Sequence, residues 1–113
     1  MHEHHQVQKL INEILASAAE KQAKKVTKIT VAMGELLGFD QGSVKLYFET
    51  LGEGTILEGA EISFHMIPGE LHCSACNKNF IKNKGILTCP TCGIQGTPTE
   101  KGKEFFAEHI ETK

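Results

Sequence analysis

The sequence predicts an α+β fold: two helices packed on a small three-stranded sheet, with a cysteine-rich module inserted before the last strand. Three observations predict it. Apolar residues recur at helical spacing near the amino terminus. Two β-branched or aromatic segments alternate with the period of a strand. All four cysteines fall within twenty residues, ahead of a final alternating segment.

The first helix is the clearest element. Val7, Leu10, Ile11, Ile14, Leu15 and Ala18 recur at three- and four-residue steps and form one apolar stripe. The helix is expected from about residue 4 to about residue 24. Extending the stripe back by three residues reaches His4, which should face the packed side, while His5 should point elsewhere.

VTKITVAMG (26–34) sets Thr27, Ile29, Val31 and Met33 against Lys28, Thr30 and Ala32, and reads as a strand. GELLGFD turns the chain. Asp40 or Ser43 then caps a second helix with Val44, Tyr47, Phe48 and Leu51 on one face. Gly52, Gly54 and Gly59 break it and lead into AEISFHMIP, a strand ended by Pro68. Residues 69–98 are less apolar and turn-rich. EFFAEHIE (104–111) resumes as a strand, with a bulge expected near Glu108 or His109 because Ile110 is out of phase with Phe105 and Ala107.

A chain of 113 residues suits one small core, and 40% hydrophobic with 23% charged residues is ordinary for a folded domain. No apolar run approaches the roughly 20 residues of a membrane span. No secretory signal is evident, so the protein is expected in the cytoplasm. The net charge is −2, and all twelve basic residues are lysines. Without arginine forks or a basic face, nucleic-acid binding is disfavoured. No nucleophile–base pair, phosphate loop or paired catalytic carboxylates stand out, so no enzyme is expected.

The cysteines form two knuckles, C73-S-A-C76 and C89-P-T-C92-G, separated by twelve residues. Tight turns let both thiolates of each pair face one ion. Cys73, Cys76, Cys89 and Cys92 in a closed tetrahedral shell favour structural zinc, the pattern of a zinc ribbon. Two redox dithiols are the poorer explanation, because one ion accounts for both pairs in register. Phe80 with Ile86 or Leu87 should supply the module's apolar contacts. His65 and His72 read as ordinary side chains.

The opening MHEHH is ambiguous by itself. A frayed, solvated tip with fortuitous histidines and a metal-binding terminus fit it equally.

Together, the amino-terminal MHE, GELLGFD after the first strand, GTILEGAEI entering the second, CSAC…CPTCG and GKEFFAEHIE resemble the HypA family over nearly the whole chain. These are nickel-insertion accessory proteins for [NiFe]-hydrogenases. The resemblance implies a nickel-binding α/β domain over 1–69, completed by strand 99–113, and a zinc-binding module over 70–98. It implies Met1, His2 and Glu3 as the nickel terminus and the four cysteines as zinc ligands. His4 and His5 depart from the residues common after MHE and stand as possible extra nickel ligands.

It further implies a nickel metallochaperone that works with the GTPase HypB. The recipient would be the hydrogenase large subunit, with urease maturation proteins as partners in some organisms. Zn2+ would be structural and Ni2+ transferred, by a monomer or dimer with no membrane or nucleic-acid partner. The alternative is a zinc-ribbon module that binds protein or nucleic acid.

Overall fold

The computed structural model describes residues 2–82 and 87–113, and of His2 the backbone alone. The chain divides into two compact units. The first comprises Met1–Ala32, Phe39–His65 and Phe105–Lys113; the second comprises Met33–Gly38 and Met66–Glu104.

In the first unit, helix α1 spans His2–Glu20 and helix α2 spans Gln41–Leu51. The apolar stripe of α1 is its buried face: Val7, Leu10, Ile11, Ile14 and Ala18 are all nearly inaccessible. Burying each of the larger ones stabilises the fold by about 1.5–3 kcal/mol. α1 ends earlier than residue 24 because Gln22 takes a left-handed conformation, with φ of 55°. The N–H of Ala23 then turns back to the carbonyl of Ala18 at 3.0 Å, which satisfies the helix end.

The helix α2 is capped by Asp40, not Ser43. Asp40 Oδ2 accepts the N–H of Ser43 at 2.9 Å. Val44 and Phe48 are buried, whereas Tyr47 and Leu51 are half-buried. Leu57, in the turn after α2, is also a core residue that its glycine-rich setting did not announce.

Strands β1 (Val26–Gly34), β2 (Glu61–Ile67) and β6 (Phe105–Thr112) form a sheet in the order β2-β1-β6. β1 is central, and its Val26, Ile29 and Val31 are fully buried. Lys24 and Lys25, just before β1, exchange backbone bonds with Lys113, whereas Gly34 at its end donates to Glu104, so β6 runs antiparallel to β1. The alternation of burial in β6 slips at Glu108–His109, both exposed, before half-buried Ile110.

The second unit holds β3 (Glu70–Cys73), β4 (Lys78–Ile81) and the two-residue β5 (Thr97–Pro98), in the order β4-β3-β5 with antiparallel pairing. Leu71 on β3 is its main buried aliphatic side chain. Phe80 closes over Gly96, while Leu87 is exposed and Ile86 lies outside the described residues.

A glycine node fixes the same unit. Leu36, in a 3-10 turn over Glu35–Leu37, donates its N–H to Gly102 at 2.8 Å, and Gly34 donates to Glu104 at 2.7 Å. A Cβ on Gly34 would lie 2.0 Å from the carbonyl oxygen of Gly102, a backbone atom that cannot yield alone. Gly34→Ala is therefore expected to cost at least the upper end of the about 1–3 kcal/mol typical of overpacking, read as a lower midpoint in urea. An unchanged midpoint would show that the node relaxes freely.

Candidate metal centres

Both knuckles are built alike. In each, the residue after the second cysteine adopts a left-handed conformation: Asn77 with φ of 52° and Gly93 with φ of 76°. That turn brings the second sulfur back beside the first. Gly93 signals it in the sequence; Asn77 was missed, although asparagine is the non-glycine residue that tolerates this conformation best. Cys76 N–H donates to Cys73 Sγ at 3.4 Å. In the second knuckle, Gly93 donates to the Cys89 carbonyl and Cys89 to that of Ile94, both at 2.8 Å.

The four cysteines are free of disulfides, and their sulfurs lie within 4.8 Å of one another. Cys73 Sγ and Cys92 Sγ are 3.2 Å apart, and Cys76 Sγ and Cys89 Sγ are 4.0 Å apart. A tetrahedral zinc with bonds of about 2.3 Å would separate its sulfurs by about 3.8 Å, so the cage has the right size. Among the described residues this is the group of metal-ligating side chains that converges on one point.

The thiols differ in acidity. N–H donation from the Cys92 and Thr91 backbones lowers Cys89 to about 6, while Cys76, sharing protons with the sulfurs of Cys92 and Cys73, is pushed up to about 12. Closing the shell on an ion therefore displaces protons from the sulfurs, those of Cys76 and Cys92 among them, since both thiols are pushed up.

The sequence-derived nickel residues sit at the start of α1. Met1 and the side chain of His2 lie outside the described residues. Glu3 Oε2 accepts the backbone N–H of Asp40 at 2.9 Å. One carboxylate thus ties the first turn of α1 to the cap of α2. Residues thirty-seven apart carry no sequence signal of such a bond.

His4 lies towards the α2 side, as its place in the stripe leads one to expect, but it is exposed and not packed into the core. Its ring meets Tyr47 of α2 edge-on at 5.5 Å, and lies 5.8 Å from that of exposed His5. The apolar stripe ends at Val7, because α2 there offers a half-buried tyrosine and not a closed core.

Elsewhere, His65 Nδ1 pairs with Glu108 at 2.7 Å, and His72 Nδ1 meets Asn79 Oδ1 at 2.7 Å, with Asn79 in turn donating to Glu70. Among the described residues, no helix is long and apolar enough to cross a membrane.

A small α+β unit opening on a histidine-rich helix, in one chain with four cysteine sulfurs converging on one point, defines a metal-binding class of protein. The chain belongs to the HypA family: the family model described as "Hydrogenase/urease nickel incorporation, metallochaperone, hypA" matches residues 1–112. It is 41% identical over 114 residues to "Hydrogenase maturation factor HypA" of Caldanaerobacter subterraneus subsp. tengcongensis, covering 100% of both chains. It is 34% identical to the Aquifex aeolicus protein of the same description, covering 98% of this chain and 96% of that one.

The solution structure of the Ni metallochaperone HypA from Helicobacter pylori superposes with a TM-score of 0.67 at 26% identity, covering 97% of this chain and 96% of that one. The protein is thus a nickel metallochaperone of hydrogenase maturation, as its motifs led us to expect, and the zinc-ribbon binding module is not favoured.

Proposed function

We propose that Ni2+ is carried at the amino terminus by Met1, His2 and Glu3, while Cys73, Cys76, Cys89 and Cys92 hold a structural Zn2+ that never leaves. The observation that carries the first half is the Glu3–Asp40 bond. It anchors the opening turn of α1, whose leading N–H groups have no acceptor within the helix. A helix start is electropositive and resists a bare cation. Nickel(II) overcomes this by taking anionic and neutral nitrogen donors in a planar set: the terminal amine, the His2 imidazole and backbone nitrogens of His2 and Glu3. The Glu3 carboxylate supports that set by fixing the first turn, with one of its oxygens engaged by the Asp40 N–H. His4 and His5 are exposed on the same turn and able to close the site.

Such a site, with few ligands at a chain end, can hand its ion on; a closed four-thiolate shell cannot. The protein acts by transfer and not as an enzyme. We infer that it works in the cytoplasm with HypB, passing nickel to the hydrogenase large subunit, and to urease maturation proteins where these are present. The test is transfer itself. Protein loaded with radioactive nickel, mixed with HypB, GTP and nickel-free large subunit, should fill the subunit faster than free nickel at the same concentration. Its rate should be unchanged by a chelator that traps free nickel; complete diversion of the nickel to the chelator would refute direct handover.

A further inference from the structure

Histidines stand at positions 2, 4 and 5, and the helix sorts these positions onto two faces. α1 is helical from His2 onward. Residues two apart on a helix lie about 200° apart around its axis, whereas residues three apart are neighbours one turn on. Positions 2 and 5 therefore share a face, and position 4 falls on the other side.

Position 4 belongs with the packed face. It lies one turn before Val7 and two before Ile11, both nearly inaccessible. The His4 ring, although exposed, is engaged from that side by Tyr47 of α2, with an interplanar angle of 71°. Edge-on contact is a favoured arrangement of aromatic rings, and Tyr47 is half-buried in its own helix. The Glu3–Asp40 bond fastens the same turn of α1 to the start of α2. Position 5 belongs with the open face. His5 is exposed, and so are Lys9, Asn12 and Ala16, which follow it at helical spacing.

We propose that His5, and not His4, is the second imidazole on nickel, bound along the axis perpendicular to the planar set; this rests on the terminal nickel site argued above. Ligands three residues apart on one helix can serve one metal centre, as the glutamate–histidine pairs of four-helix metal proteins do. The planar positions are taken by the amine, backbone nitrogens and the His2 imidazole, so position 5 adds a bond above the plane. Nickel(II) accepts that tetragonal arrangement. An axial nitrogen turns the diamagnetic planar ion paramagnetic and lengthens its in-plane bonds. The cargo is then held by one more donor, with each planar bond looser, which suits an ion that must be passed on.

The probe is one equivalent of Ni2+ added to the untagged, zinc-loaded full chain and to His5→Ala, His4→Ala and His2→Ala. Position 5 is exposed and alanine is the better helix former, so His5→Ala keeps the fold, as retained zinc and unchanged far-ultraviolet dichroism verify. Wild type should hold paramagnetic nickel with two imidazoles, read from hyperfine-shifted ring-proton resonances and X-ray absorption. His5→Ala should hold diamagnetic nickel with one imidazole. Its affinity should fall at least about tenfold, the lower end of what altering an outer-shell partner alone costs. His4→Ala should keep both imidazoles and shift affinity less than about twofold, as an ordinary surface change does.

Diamagnetic nickel in wild type, two imidazoles in His5→Ala, or one in His4→Ala would overturn the assignment of position 5. His2→Ala separates the two claims. If it loses nickel while His5→Ala behaves as wild type, the axial ligand falls and the terminal site stands. If it binds nickel as wild type does, the terminal site falls and the axial ligand with it.

Discussion

Cys73→Ala is expected to lose zinc and to unfold the cysteine module. Cys73 is fully buried at the end of β3, and its sulfur accepts from Cys76 and approaches Cys92. Three remaining thiolates leave one coordination position open and the two knuckles poorly clamped. Structural zinc contributes about 10–16 kcal/mol of binding energy in small zinc domains, and this small unit has few other staples. A residual loss of only about 3 kcal/mol would already lower the melting temperature by more than about 10 °C. Zinc analysis with thermal denaturation decides it. Stoichiometric zinc and an unchanged melting temperature would refute the four-thiolate cage. In the intact protein, zinc affinity should fall with acidification, because the ion competes with protons for thiols as different as Cys89, at about 6, and Cys76, at about 12.

His2→Ala is expected to abolish specific nickel binding while zinc and fold persist. Altering an outer-shell partner of a metal site typically weakens it 10–100-fold, so removing the imidazole itself should cost at least about a hundredfold. Affinity should fall as pH drops through the imidazole range near 6.5, where the proton displaces the metal. His4→Ala should have the smaller effect, because its exposed ring rests on Tyr47 and its loss costs mainly that contact. One residue added ahead of Met1 should weaken binding if the free amine is a ligand. Calorimetric titration of these proteins against wild type reads each outcome.

The elements legible in the sequence are those in which spacing alone dictates burial. The stripe from Val7 to Ala18, the strand character of β1 and the paired knuckles all appear in the structure. The alternation of β1 does not: Thr27 is exposed and Val31, Ala32 and Met33 are all buried, because the central strand is covered on both faces at that end. What escaped depends on neighbours distant in the chain. The Glu3–Asp40 bond joins two elements that periodicity treats separately. His4 continues the stripe in phase but is exposed, because phase says nothing about where the opposing helix stops. The early end of α1 turns on Gln22 at positive φ, a residue with no strong preference for it. Leu71, inside a segment read as turn-rich, is buried because the module folds three short strands around it.

The most direct test of two separate metal sites is elemental analysis after equilibrium dialysis of untagged protein against nickel. Wild type should retain stoichiometric zinc and gain stoichiometric nickel; His2→Ala should retain the zinc and gain none. Nickel retained by His2→Ala, or nickel gained by wild type only as zinc is lost, would contradict a terminal nickel site distinct from the cysteine cage.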